Sequence, residues 1–230
     1  MNKQTRLATP KIKYSYGSYN KFNDTEQWVR ISEGCPHNCP YCYEPQEIKW
    51  FGIPKIVRND VKIIDMNLLC KEQALNCIKE LGEKRVNGKV VYYEMVCGID
   101  YRFLTQKIAQ ALKDSRFKKI RIAWDWWYKD QYRIKDSIDC LKEVGYRTGK
   151  NSDIMVFMIC NWKIPYEENL KKLDLCKVWG VQVADCYYDN QFKHIEPIHW
   201  SDKEIKDFRH RCRKHNQLVN FGVDPEIKNC

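Results

Sequence analysis

The sequence predicts an α/β fold built on a parallel β-sheet. Short β-branched or aromatic runs alternate along the chain with segments whose apolar residues recur at helical spacing. Strands that alternate with helices pair in parallel through right-handed crossovers. Six such units can form an open doubly wound sheet or a partial barrel, and the pattern alone leaves both architectures open.

The elements follow one another in a regular order. The predicted strands are residues 28–31, 89–96, 119–124, 153–160, 181–187 and 218–223. The predicted helices have apolar faces at Ala74, Ile78 and Leu81; Leu104, Ile108 and Leu112; Ile134, Ile138 and Leu141; Leu170, Leu173 and Cys176; and Ile205, Phe208 and Cys212. Glycines at 82, 145 and 180 end three of these helices, and Ser201-Asp202-Lys203-Glu204 predicts a capping box at the start of the last helix.

Two regions lack this regularity. Residues 43–67 show no clean period, and we interpret them as a long loop with a short strand at 61–64. Residues 1–26 are polar and tyrosine-rich, which indicates an extended lead-in to a single domain over residues 27–230.

Composition restricts the environment and the partners. Twelve cysteines behind a polar N-terminus predict a reducing compartment, and we expect a cytoplasmic protein. The longest apolar run, residues 154–160, is too short to span a membrane. The net charge of +10 favours an acidic partner such as a nucleic acid, a phosphorylated substrate or an acidic protein. The alternative is a solvated basic surface, because the basic residues are spread along the chain.

The segment Cys35-Pro36-His37-Asn38-Cys39-Pro40-Tyr41-Cys42 carries three cysteines in a C-x3-C-x2-C spacing. Three thiolates on one loop can hold three irons of a [4Fe-4S] cluster and leave the fourth iron open to a small chelating molecule. A zinc knuckle is the alternative, but zinc usually requires a fourth Cys or His at a partner spacing, and no second C-x2-C follows. We therefore expect an iron–sulfur cluster.

This motif resembles that of the radical S-adenosylmethionine (radical SAM) superfamily, including the aromatic Tyr41 before the third cysteine. The resemblance extends from about residue 27 to the C-terminus. It implies a (β/α)6 partial TIM barrel with the cluster loop after the first strand. It also implies that Cys35, Cys39 and Cys42 hold the cluster, and that SAM binds the open iron through its amino and carboxylate groups.

The same resemblance implies contacts to SAM at the carboxyl ends of the strands, where parallel α/β folds bind ligands. Superfamily members carry a Gly-Gly-Glu-like turn after the second strand, and Cys97-Gly98-Ile99-Asp100 is the matching segment here. Gly98 would let the backbone approach the methionine ammonium, and Asp100 would accept a hydrogen bond from it. Ile99 departs from the pattern, and the alternative role for Asp100 is to cap a helix near Arg102.

Two further residues are implied as cofactor contacts. Asn161 ends a strand where the family often has a polar ribose contact, and its alternative is an ordinary turn residue. Tyr41 would lie near the adenine.

Candidate catalytic residues also follow strands. Asp125 lies among Trp124, Trp126, Trp127 and Tyr128, which predicts a substrate pocket or, alternatively, aromatic packing. Asp185 is a similar candidate on the cofactor side. Cys97, like Cys160 and Cys186, follows a strand, and its thiol could donate a hydrogen atom to a substrate radical; the alternative is a small apolar core residue.

The resemblance implies a radical SAM enzyme. Its cluster, reduced by one electron from a donor such as a flavodoxin or ferredoxin, would cleave SAM to methionine and a 5'-deoxyadenosyl radical. That radical would abstract hydrogen from a substrate that the sequence does not identify. The alternative is a non-enzymatic iron–sulfur or zinc protein that binds nucleic acid, for which residues 124–133 are the best local candidate. An activase that generates a glycyl radical on a partner protein is compatible with the size of the chain, but no feature selects it.

Overall fold

A computed structural model of the protein describes residues 17–125, 127–188 and 200–222. These residues form strands and helices in alternation. The strands are β1 (Tyr19–Phe22), β2 (Gln27–Arg30), β3 (Ser32–Glu33), β4 (Lys49–Trp50), β5 (Asp60–Ile63), β6 (Arg85–Val86), β7 (Lys89–Val90), β8 (Tyr92–Met95), β9 (Ile120–Ala123), β10 (Ile154–Cys160) and β11 (Gln182–Tyr187). The helices are α1 (Ala74–Glu83), α2 (Gln106–Asp114), α3 (Gln131–Glu143), α4 (Tyr166–Trp179) and α5 (Asp202–Phe221).

The principal strands are parallel and follow chain order. Strands β2, β5 and β8 pair in parallel, with β1 antiparallel at their edge, and β9, β10 and β11 form a second parallel sheet. The two sheets meet where Ile99 N donates to Arg121 O at 2.7 Å and Ala123 N donates to Ile99 O at 3.0 Å. The predicted α/β fold with a parallel sheet is thus confirmed.

The two faces of the sheet differ because side chains alternate along a strand. Val61, Ile63 and Tyr93 are buried in the apolar core beneath the helices. The opposite face is polar: Glu94 on β8 accepts from Lys62 on β5 at 2.6 Å and from Arg121 on β9. An ion-paired ladder therefore crosses three adjacent strands on the face away from the helices.

Strand β5 is a full member of the sheet and not a minor feature of a long loop. It lies between β2 and β8 and pairs with both. The strand ending at Met95 is consequently the third parallel strand from the cluster loop. The segment Cys97–Asp100 therefore does not follow the second strand, as the sequence predicted; residues 64–67 do.

The predicted strand at residues 218–223 is wrong for its described part. Residues 218–221 continue α5, which ends at Gly222 with φ +69°. Phe208, Cys212, His215 and Val219 recur at helical spacing and are buried, so packing of this helical face overrides the strand-like run. The predicted capping box at Ser201 and Glu204 is confirmed. Val223, the last residue of that predicted strand, lies outside the described residues.

The predicted strand at residues 89–96 is divided in two. Lys89–Val90 folds back on Arg85–Val86 as a short hairpin, and only Tyr92–Met95 enters the sheet. Of the predicted lead-in, residues 1–16 lie outside the described part, and Tyr19–Phe22 pairs with β2. Among the helices described, none has both the length and the apolar character needed to cross a bilayer.

Candidate metal centre

The cysteine loop is an excursion whose ends are held together. It leaves the first parallel strand through β3, which pairs antiparallel with β4 on the far side of the loop. Inside this closure, Cys35 N donates to Pro45 O at 2.8 Å. Gly34 precedes the first cysteine with φ +92°, and a Cβ at this position would overlap the Glu47 carbonyl. Only glycine fits both the backbone angle and the space.

Asp65, at the end of β5, fixes the start of this loop. Its Oδ1 accepts from Ile31 N at 2.9 Å, and its Oδ2 accepts from Ser32 N and Ser32 Oγ, both at 2.6 Å. Burial raises the pKa of Asp65 to about 6 despite these bonds. Lys71 Nζ also donates to Gly34 O. The loop is thereby attached to the end of the neighbouring strand.

The three cysteines open on one cavity of about 120 Å³. Its other walls come from the carboxyl ends of successive strands: Asn67 after β5, Gly98 after β8 and Asp125 after β9. This is the edge at which parallel α/β folds bind ligands. Gly98 and Asp125, which the sequence analysis singled out after their strands, line this cavity together with the cysteine loop.

The thiols differ in how readily they ionise. A hydrogen bond from the Cys70 side chain, with others from the His37 backbone and Asn67, lowers the pKa of Cys35 to about 5 against the effect of burial. Burial raises the pKa of Cys42 to about 11 and also raises the pKa of Cys39. Metal binding would therefore release protons from the latter two thiols.

The donor set fits a polynuclear cluster. Three thiols line one cavity, although among the described residues no group of three His, Cys, Asp or Glu side chains is close enough to hold a metal ion. In a [4Fe-4S] cluster each cysteine binds a different iron, so thiols spaced around one cavity suit that group. Cys35, Cys39 and Cys42 are the residues that could hold it.

Asp100 lines the cavity, but its carboxylate already has many partners. Oδ1 accepts from Arg102 N at 3.0 Å and from Arg102 Nε at 2.8 Å. Oδ2 accepts from Arg102 Nη2 at 2.8 Å and from Asn67 Nδ2 at 3.2 Å, and it lies 3.0 Å from His37 Nε2. The capping role considered for Asp100 is thus present, since it caps the short 3-10 turn at Tyr101–Phe103.

Asn67 is a site residue that the sequence reasoning missed. Its Nδ2 donates to Asp100 Oδ2, and it lies 3.5 Å from Cys35 Sγ. Its Oδ1 is buried without a hydrogen-bond partner in a side chain only 7% exposed. An unsatisfied buried acceptor is costly unless a ligand completes it. Its position directly after a parallel strand could have identified it, had β5 been assigned as such.

A buried polar network joins the loop to the later strands. Tyr41 OH donates to Asp125 Oδ2 at 3.1 Å. Burial raises the pKa of Asp125 to about 6, although Tyr41 and the charge of Lys172 act in the opposite direction. Lys172 on α4 is fully buried and donates to Trp124 O at 3.2 Å, and burial lowers its pKa to about 8. The sequence reasoning also missed Lys172, which no local pattern marks.

The remaining candidates divide between the cavity and the sheet. Cys97 lines the cavity, and burial raises its pKa to about 12. Asn161 is not among the cavity-lining residues: it adopts φ +57° in a turn and accepts from Trp200 N at 3.2 Å. Asp185 lies within β11, opposite Met158, and its Oδ2 is 3.6 Å from Arg209 Nε. The structure thus brings Cys97 to the cysteine loop, but not Asn161 or Asp185.

Solved structures show which fold this is, although neither a protein-family model nor a curated protein sequence matches the chain. It is similar to the radical S-adenosylmethionine methyltransferase TsrM from Kitasatospora setae, with 11% identity over 70% of this chain and 36% of that one. The TM-score is 0.54 for the structure with cobalamin and [4Fe-4S] cluster and 0.55 for the one with tryptophan substrate and aza-SAM. It is also similar to HydG, a maturase of the [FeFe]-hydrogenase, with TM-score 0.51 and 13% identity over 84% of this chain and 49% of that one.

The chain shares an α/β fold with TsrM and HydG. It spans 36% of the length of TsrM and 49% of the length of HydG. At these identities the comparison establishes the fold, so activity rests on the residues of the site.

Proposed function

We propose that this protein is a radical SAM enzyme in which Cys35, Cys39 and Cys42 hold a [4Fe-4S] cluster. The observation that carries the proposal is the position of these thiols: they share one cavity with the ends of successive parallel strands, in a radical SAM fold. When bound and reduced, the cluster supplies the electron that cleaves SAM to methionine and a hydrogen-abstracting 5'-deoxyadenosyl radical. The electron would come from an external donor such as a flavodoxin or ferredoxin.

The sheet would form the wall of a partial barrel. Six parallel strands follow one another in chain order, which is the arrangement that a (β/α)6 partial barrel requires. Its polar face, with Lys62, Glu94 and Arg121, would then face the interior. The cysteine loop would lie at the carboxyl-terminal mouth.

The SAM ammonium would bind at Asn67. The Oδ1 atom is buried without a partner, and Asp100 holds the amide by accepting from Nδ2. A buried carbonyl oxygen that lacks a donor gains a charge-assisted hydrogen bond when an ammonium binds. A direct contact between Asp100 and the ammonium stays a prediction, but the partners already around Asp100 favour a positioning role. Gly98, with φ +90°, would let the ligand approach the backbone closely.

Two residues would act on the substrate side. Burial keeps the Cys97 thiol protonated at neutral pH, since its pKa is raised to about 12, and a hydrogen-atom donor must be an intact S–H group. Asp125 would orient Tyr41 through their hydrogen bond and so hold the cluster loop against the end of β9. The contacts predicted for Asn161 with ribose and for Asp185 with the cofactor remain predictions.

The test is reductive SAM cleavage by protein purified and reconstituted with iron and sulfide without oxygen. We expect 5'-deoxyadenosine from the wild type and none from Cys39→Ala. The matched control is Cys140→Ala, which removes a half-buried thiol on α3 outside the cavity and should leave cleavage unchanged. Cleavage that survives in Cys39→Ala would overturn the proposal. A colourless protein that binds zinc would instead favour the nucleic-acid-binding alternative.

A further inference from the structure

A second cavity, of about 600 Å³, lies beside the turn that follows β9. Trp127 and Lys129 contribute one wall from this turn, Tyr132 contributes another from the start of α3, and Glu168 and Lys171 contribute the third from α4. We call these five residues the aromatic cleft. No step of the proposed radical chemistry uses it.

The turn that carries Trp127 is held in place by hydrogen bonds to neighbouring residues. The indole Nε1 of fully buried Trp124 donates to Trp127 O at 3.2 Å, and Glu168 Oε1 accepts from Tyr128 N at 2.5 Å. Trp127 is nevertheless 43% exposed, and Tyr132 on the adjoining helix is 74% exposed. Two large aromatic residues kept at the surface beside a fixed turn are typical of a binding surface, because folding otherwise favours their burial.

The cleft has a positive net charge, since its lining carries two lysines and one glutamate. Lys129 and Lys171 are exposed, and among the described residues neither lies in an ion pair. Glu168 is the acidic residue among the described lining, and its Oε1 already accepts from a backbone amide. The cleft therefore combines two π faces with two available ammonium groups, on a protein of net charge +10.

We propose that the aromatic cleft binds single-stranded nucleic acid, with bases stacked on Trp127 and Tyr132 and phosphates at Lys129 and Lys171. Stacking platforms flanked by cations are how proteins hold single strands, since every base has a π face and every linkage a negative charge. An acidic peptide would use the lysines but not the rings. The claim that the bound strand is the substrate rests on the proposed function. The claim that the cleft binds a single strand does not.

The cleft is connected to the metal centre through the chain. Asp125, which lines the cysteine cavity, lies two positions before Trp127 in the sequence. A nucleotide held on Trp127 would thus be anchored beside the strand end that reaches the proposed cluster. This neighbourhood is the reason to treat the bound strand as substrate and not as a remote ligand.

The experiment measures fluorescence anisotropy of a labelled mixed-sequence single-stranded RNA of about 10 nucleotides, a length that one such site can cover. The full-length wild type should bind, and Trp127→Ala and Tyr132→Ala should each weaken binding by about tenfold or more, the usual effect of losing one stacked base. Phe221→Ala is the matched control, because Phe221 is also 74% exposed but lies at the end of α5.

Salt dependence tests the lysines separately. Lys129→Ala and Lys171→Ala should each lower the slope of log affinity against log salt by about 0.7, the value for one phosphate of a single strand. Lys79→Ala, an exposed lysine on α1, should leave the slope unchanged. If poly-glutamate displaces the RNA at equal charge concentration and Tyr132→Ala binds as the wild type does, the cleft recognises acidic chains and the proposal is wrong.

The RNA-binding assay and the SAM-cleavage assay together separate this inference from the enzyme assignment. RNA binding that depends on Tyr132, without SAM cleavage, would keep the cleft and remove the radical enzyme. SAM cleavage without measurable RNA binding would keep the enzyme and remove the cleft as a nucleic-acid site.

Discussion

At Gly34 the chain turns from β3 into the cysteine loop, and both backbone and space require glycine. Gly34→Ala should prevent the loop from closing, because its φ is +92° and a methyl group would overlap the Glu47 carbonyl. We expect iron content after anaerobic reconstitution to fall to a small fraction of the wild-type value. Gly52→Ala is the control: φ is +82° there, but no atom lies within 4 Å of an added Cβ. Both changes carry about 1–2 kcal/mol of backbone strain, so equal iron in the two variants would show that steric closure at Gly34 is unimportant.

Asn67 offers a test of SAM binding that is separate from cluster assembly. Asn67→Ala removes the unpartnered buried Oδ1, and the affinity of the reconstituted protein for SAM should fall about tenfold or more, the usual loss for a hydrogen bond to a charged group. Equilibrium dialysis with labelled SAM measures the effect, and iron content shows whether the cluster is retained. Unchanged affinity with full iron would remove Asn67 from the SAM site.

Lys172 makes the free energy of unfolding depend on alkaline pH. Burial lowers the pKa of Lys172 in the folded protein to about 8. Below pH 8 the charged side chain therefore costs free energy on folding, because water solvates it better in the unfolded chain. This cost disappears as the pH rises from 8 to 10.5, because the folded state releases the proton first and stability increases. For this shift the cost is about 3 kcal/mol.

The measurement is denaturant unfolding of the wild type and Lys172→Met across this pH range. The difference between the two free energies should shrink or change sign as the pH rises. The neighbouring Lys171→Met variant, at an exposed position, should follow the wild type at every pH.

The predictability of single residues depends on sequence separation. The cysteine triplet and Tyr41 could be predicted because their spacing is local. Asn67 and Lys172 could not, because Asn67 contacts Asp100 33 positions away and Lys172 contacts Trp124 48 positions away. Asp100 was identified by its place after a strand, but its pairing with Arg102 required the side-chain geometry.

At the scale of elements, β5 shows what a local pattern can and cannot predict. The short strand predicted at residues 61–64 is confirmed as Asp60–Ile63, but its place inside the parallel sheet was missed. The alternation of two charged with two apolar residues does not indicate a strand buried on both faces. In the structure the polar side chains lie on the ion-paired face, where Lys62 meets Glu94. The opposite error at residues 218–223 arose because β-branched and aromatic residues favour strands, whereas burial of one helical face decided the outcome.

The ladder across β5, β8 and β9 should contribute measurably to stability. Glu94→Gln should lower the free energy of unfolding by about 3 kcal/mol, because Arg121 loses its buried counter-charge and Lys62 keeps only its pairs with Asp60 and Glu26. Glu80→Gln is the control, since its pair with Lys84 is exposed and worth about 0.5 kcal/mol or less. Urea unfolding at neutral pH measures both. Equal losses would show that the ladder is no more than a surface pair.

The Glu94 contribution has a defined pH window. Burial opposes ionisation of Glu94, but hydrogen bonds from Lys62 and Arg121 outweigh it and lower the pKa. A lowered carboxyl pKa gives stability that is complete above the unfolded value and lost as the pH falls through the folded one. The wild type and Glu94→Gln should therefore converge in stability under acidic conditions.

At the scale of the whole molecule, the candidate metal centre lies between the two parallel sheets. The cysteine loop follows β2 of the first sheet in the chain, and Asp125 follows β9 of the second, so a bound cluster would stabilise the native state across both. Anaerobic reconstitution should raise the thermal midpoint of the wild type, and removal of iron by a chelator should reverse the rise. Cys35→Ala should show no increase. An identical midpoint with and without iron in the wild type would argue that the thiols do not bind it in the folded protein.

The hydrogen bond between Tyr41 and Asp125 spans 84 positions of the chain, so its two partners are synthesised at different times. During synthesis the cysteines leave the ribosome roughly 4–17 s before Asp125 does, at about 5–20 residues per second. Throughout that interval the nascent loop has reactive thiols but lacks the wall that β9 provides. A cluster bound by the three cysteines would therefore gain its β9 wall only after that strand has been translated.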